Sequence, residues 1–172
     1  FVKMTKVPED LKIAYQNLGA CYLALERYDE TLAALDEAAH YAPDDPDMLH
    51  SRGVVYACAA RFPEAITTFE DFARRWPKQA RQQETRKAIR KLRQAQQGKI
   101  PPGTYLLEHL QDQVSHNTEM GDFYLVEQKA RRMIVADPER PEGHFALGLA
   151  CLEQDRYQEA LAAFLVAQDL DP

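Results

Sequence analysis

Cysteine is nearly missing from this chain, with three in 172 residues. Three thiols cannot build a framework of bridges, which excludes a disulfide-stapled scaffold and makes a reduced, cytoplasmic setting the expectation. Glycine is scarce too, and seven residues are too few for a turn-rich β fold. Runs of Val, Ile and Thr are few, which argues against sheet. No apolar stretch approaches the ~18–20 residues that span a bilayer. The longest, 53–60 and 161–167, are short and rich in Ala. Positive charge is in deficit, with 21 Lys plus Arg against 27 Asp plus Glu and a net charge of −6. A protein that binds nucleic acid with its whole surface is thereby excluded. A starting Met is also missing, and the opening Phe1 leaves a trimmed leader or an excised fragment open.

What is present is the vocabulary of helices. Ala, Leu, Glu, Gln and Arg are abundant in a chain that is 45% hydrophobic and 28% charged. The chain also repeats itself. Gly19 and Gly53 stand 34 residues apart, as do Pro43 and Pro77, and Pro138 and Pro172. Tyr15-x2-Leu18-Gly19-x2-Tyr22 recurs as Leu49-x2-Arg52-Gly53-x2-Tyr56, and again as His144-x2-Leu147-Gly148-x2-Cys151. The second half of each unit matches as Thr31-x3-Leu35, Ala65-x3-Phe69 and Ala160-x3-Phe164. Each unit reads as helix, tight turn, helix and a Pro stop, because Pro lacks an N–H and disfavours helix just before it. Mid-helix Gly costs about 1 kcal/mol relative to Ala, tolerable where a neighbouring helix comes close. Ala65 and Ala160 are expected to receive that approach, with Tyr22, Tyr28, Tyr56, Phe62, Phe69, Tyr157 and Phe164 filling the space between.

These residues resemble the tetratricopeptide repeat, with Tyr, Leu or His standing where the family pattern has Trp. The resemblance implies an all-α, right-handed solenoid of stacked helix-turn-helix repeats over residues 1–172. The repeats run 12–45, 46–79, about 107–140 and 141–172. The third is degenerate, with Val114 and Asn117 at the Gly and Tyr positions; its helices are expected near 104–119 and 122–136. The interval from Pro77 to Pro138 breaks the period, and an extra helix and loop occupy 80–106. Residues 79–97 read as one long basic helix with Ala88, Ile89, Leu92 and Ala95 on a stripe. Gly98 to Gly103 ends it.

The resemblance further implies a protein-interaction scaffold, not an enzyme, whose first helices line a concave groove for a partner peptide or helix. Carried across, the groove positions are Ile13, Gln16, Asn17, Ala20, Leu23 and Ala24 in the first repeat. In the second they are Asp47, His50, Ser51, Val54, Ala57 and Cys58, and in the last Glu142, Phe145, Ala146, Leu149, Leu152 and Glu153. The chain's own long helix or a second copy of the chain could cover the same residues, which keeps a homo-oligomer open. The two-carboxylate clamp for chaperone tails is set aside: Gln16, Ala20 and Ser51 replace its Lys and Asn residues, and Glu108 and Asp112 would repel a carboxylate.

Charge is unevenly spread. Residues 74–99 hold ten bases and one acid, Glu84, for +9, which leaves −15 on the rest. Arg86, Arg90 and Arg93 recur at i, i+4 and i+7 and are expected to share a face away from Ile89 and Leu92. That face suits nucleic acid, an anionic membrane or an acidic partner. The plainer reading is a solvated helix beside acidic neighbours such as the Asp44-Asp45-Pro46-Asp47 turn. A further alternative is the regulatory or targeting part of a larger enzyme. No cofactor or metal is implied. His109, Asp112 and His116 share a helical face without the usual i, i+4 ligand spacing. Cys21, Cys58 and Cys151 read as small buried hydrophobes.

Overall fold

In a computed structural model, which describes residues 7–79 and 81–171, the described chain is nine α-helices with no strand. It divides into two compact units, Phe1–Pro102 and Gly103–Pro172. The first holds α1 (Val7–Ala24), α2 (Tyr28–Tyr41), α3 (Pro46–Cys58), α4 (Phe62–Arg75) and α5 (Gln82–Gln96). The second holds α6 (Thr104–Glu119), α7 (Phe123–Ala136), α8 (Pro141–Glu153) and α9 (Tyr157–Leu170). The all-α repeat architecture expected from the 34-residue period is therefore the observed one. Pro172, the last mark of that period, lies outside the described residues.

Each repeat closes as its prolines dictate. α2, α4 and α7 end at Tyr41, Arg75 and Ala136, two residues before Pro43, Pro77 and Pro138. The turn inside each repeat is built by a second device. Glu26, Ala60, Gly121 and Asp155 all take a left-handed φ, of 58°, 56°, 73° and 59°. The N–H of the next residue then donates 2.9 Å back to the first helix: Arg27 to Tyr22, Arg61 to Tyr56, Asp122 to Asn117 and Arg156 to Cys151. This six-to-one bond caps carbonyls that the helix end leaves open. The arginines at these turns also reach forward one helical turn, Arg27 to Glu30, Arg61 to Glu64 and Arg156 to Glu159.

Packing follows the repeat. In the first unit Leu32, Leu35, Ala38, Met48 and Val55 form a core that Tyr15, Leu23, Tyr28 and Tyr56 cover. Phe69 and Phe72 of α4 and Leu92 of α5 are fully buried. The Gln82 amide ties the start of α5 to the end of α4, donating to the carbonyls of Ala73 (3.1 Å) and Trp76 (2.7 Å). In the second unit Leu107, Leu110 and Met133 cluster beneath Leu106 and Val114.

Three expectations need correction. The repeat glycines do not receive Ala65 and Ala160. A methyl at Gly53 would lie 2.6 Å from the Phe69 ring, and one at Gly148 would lie 2.6 Å from the Phe164 ring. The close partner is the aromatic four residues further on, whose ring occupies the space that glycine leaves. Tyr157 fills no interior; it is exposed, with its hydroxyl donating 2.6 Å to the Asp155 carboxylate. Cys21 is exposed, whereas Cys58 and Cys151 are buried. Burial pushes the Cys151 thiol up, which keeps it protonated and fits its packing role.

Candidate partner-binding faces

In the first unit α1 and α3 divide the expected groove residues between surface and core. Asn17 is exposed on α1, as are Ile13, Ala20 and Ala24. Gln16 is half-buried, and its amide donates to the Met48 sulfur at 3.7 Å. Leu23 is half-buried and packs against the core. On α3 Asp47 is exposed, Ser51 and Val54 are half-buried, and Ala57 and Cys58 belong to the interior. The His50 imidazole lies 5.4 Å from the Phe69 ring and 5.3 Å from Phe72. Burial first, and the Arg81 cation second, hold its pKa below the ordinary 6.5, so it is mostly neutral at pH 7.

The second unit presents its own face on α8. Phe145 is 57% exposed and Leu152 is 41% exposed, with Leu149 half-buried between them. The three follow i, i+4 and i+7, so they form one apolar stripe. The Phe145 ring rests 5.6 Å from the Phe164 ring of α9, which braces it against its own repeat. Ala146 is buried, and Glu142 and Glu153 flank the stripe. Beneath, buried Glu127 of α7 accepts from Arg156 (2.7 Å), Arg131 (2.7 Å) and Gln154 (3.2 Å). Burial pushes that carboxyl up, and these donors outweigh it, so its pKa lies below 4.5.

The basic segment is less uniform than its composition implies. Arg75 pairs with Asp44 at 3.4 Å, Arg81 with Asp47 at 3.0 Å and Arg74 with Asp71 at 2.5 Å, while Arg93 pairs with Glu70. The acidic stretch from Asp44 into the first turn of α3 thus receives two of the ten bases. Arg86, Arg90 and Arg93 do share a face, but Ile89 shares it too, lining the same depression between α4 and α5. Helical geometry explains this: residues three apart stand only about 60° apart around the axis. Leu92 alone is turned inward and fully buried. His109 stacks on Tyr105 at 6.4 Å and meets the Gln113 amide at 2.7 Å, while Asp112 is exposed and His116 stands on the same helix. Among the described residues no group of three or more His, Cys, Asp or Glu could hold a metal ion. No described helix is long and apolar enough to cross a membrane.

The family profile described as "Tetratricopeptide repeat" matches residues 17–80 and 127–172, more than half of the chain. Similar solved structures include MamA 41-end from Desulfovibrio magneticus RS-1, 19% identical over 95% of this chain and 77% of that one, with a TM-score of 0.39. A thermophilic TPR protein of Thermus thermophilus is 20% identical over 94% of this chain and 92% of its own, with a TM-score of 0.46. No curated protein matches the sequence.

Proposed function

The chain belongs to the tetratricopeptide repeat family, and from that premise we propose that it is a non-catalytic interaction scaffold whose first helices, in each unit by itself, offer a face to a partner protein. The observation that carries this reading is the stripe on α8. An exposed Phe145 braced by Phe164, with Leu149 and Leu152 one and two turns on, is an apolar surface with a fixed shape. Such a stripe accepts the anchor side chains of an extended or helical peptide. On α1, exposed Asn17 offers both a donor and an acceptor to a peptide backbone.

Truncating an anchor contact commonly costs about 2 kcal/mol or more, about thirtyfold in affinity. Phe145→Ala and Asn17→Ala are therefore made separately, their helical signal is checked by circular dichroism, and partners are captured with the intact chain and titrated against each variant. A drop of about thirtyfold for Phe145→Ala, and a smaller one for Asn17→Ala, is expected. Undiminished binding by both folded variants would place the interface away from the first helices.

A further inference from the structure

A different observation points to a second site, on the first unit and apart from the first-helix faces. Between α4 and α5 lies a depression of about 490 Å³ lined by Glu70, Arg86, Ile89, Arg90, Arg93 and Gln94. Its three cations are not equivalent. Arg93 is already held by Glu70. Arg86 and Arg90 lie one helical turn apart and make no ion pair among the described residues. Elsewhere in the segment Arg74, Arg75 and Arg81 are matched by Asp71, Asp44 and Asp47. Inside the depression what remains is two guanidinium groups beside a half-buried isoleucine and the Gln94 amide, while the lysines of the segment, Lys78, Lys87, Lys91 and Lys99, do not line it.

That arrangement selects among anions. The chain outside residues 74–99 carries −15. Beyond a Debye length of about 10 Å at 0.1 M salt, a long polyanion gains little from these two cations. Nucleic acid binds by neutralising many phosphates along its length, and the two guanidinium groups inside the depression are too few for that. A short segment bearing carboxylates fits the charge and the size. Each planar guanidinium can take a carboxylate in two parallel hydrogen bonds, and Ile89 supplies apolar surface between them. We propose that the α4–α5 depression binds a short acidic segment of a partner protein, Arg86 and Arg90 each pairing with one of its carboxylates. The site goes beyond the first-helix reading and stands without it.

The test uses the full chain and a labelled peptide of about eight residues alternating Glu and Leu, followed by fluorescence anisotropy at low salt. The same peptide with Gln for Glu, a single-stranded oligonucleotide and phosphatidylserine vesicles serve as comparison probes. The Glu peptide should bind and the Gln peptide should not. Two exposed ion pairs together support about a tenfold difference. The double variant Arg86→Gln, Arg90→Gln should therefore bind the Glu peptide about tenfold more weakly, with its helical signal unchanged. The equal-charge control Lys78→Gln, Lys87→Gln lies outside the depression and should stay near wild type. Absence of binding to the Glu peptide would overturn the proposal. So would an equal loss in the control, which would mean a diffuse electrostatic effect. Tighter binding of the oligonucleotide or the vesicles through Arg86 and Arg90 would replace the acidic segment with that ligand.

Discussion

A glycine inside a helix is less stable than alanine by about 1 kcal/mol, so the repeat glycines differ by what an added methyl would meet. At Gly53 it would meet Phe69 Cε1 at 2.6 Å and Cδ1 at 2.8 Å, and Phe69 is completely buried and cannot swing aside. At Gly19 the nearest atom is Ala34 Cβ at 3.6 Å, an ordinary contact. The same substitution should therefore change sign between repeats. Overpacking a core costs about 1–3 kcal/mol, which outweighs the propensity gain at position 53. Gly53→Ala should lower the urea midpoint by the equivalent of up to about 2 kcal/mol, and Gly19→Ala should raise it by about 1 kcal/mol. Equal shifts in both variants would mean that Phe69 does not fill the space over Gly53. The sequence holds the difference as Leu35 against Phe69 at matching places, but only the structure puts the Phe69 ring against Gly53.

Between helices, the left-handed residue of each turn is the device that sequence reasoning missed. Only Gly121 announces it by residue type; Glu26, Ala60 and Asp155 adopt the same conformation without the freedom of glycine. The spacing held a signal all the same, since positions 26 and 60, and 121 and 155, each lie one period apart. A left-handed φ at a residue with a Cβ costs about 1–2 kcal/mol, partly offset by glycine's larger entropy when unfolded. Ala60→Gly should thus raise stability by up to about 1 kcal/mol, read as a higher denaturant midpoint. A lower midpoint would mean that the Ala60 methyl makes contacts worth more than the strain. Helix spans were far more legible. Pro stops and the apolar stripe predict helices over 79–97, 104–119 and 122–136, and the observed ones are Gln82–Gln96, Thr104–Glu119 and Phe123–Ala136. The site was less so. Asn17 and Leu23 occupy the same helix, yet one is exposed and the other is half-buried against the core, because burial is decided by the helices packed against α1. Ile89, by contrast, could have been placed beside Arg86 from the three-residue spacing alone.

At the scale of the whole molecule, acid should weaken the two units in different windows. In the first unit His50 titrates below its ordinary 6.5, because burial against Phe69 and Phe72 and the Arg81 cation disfavour its charged form. The unfolded chain then takes up that proton more readily than the folded one. His50's contribution is therefore full above about pH 6.5 and is lost progressively as the pH falls toward the folded value. In the second unit Glu127 has a depressed folded pKa relative to 4.5, despite burial, because Arg156, Arg131 and Gln154 hydrogen-bond to the carboxylate. Its contribution is present above about pH 4.5 and disappears as the pH drops through the folded value. Thermal melts at unit steps from about pH 8 to about pH 3 should show a plateau above about 7, a first decline below about 6.5 and a steeper one below about 4.5. His50→Gln should remove the first decline while leaving the second, because glutamine cannot take up the proton and Glu127 lies in the other unit. A variant that keeps the decline between about pH 6.5 and 5 would show that another group titrates there and that the buried imidazole is not what couples the first unit to acid.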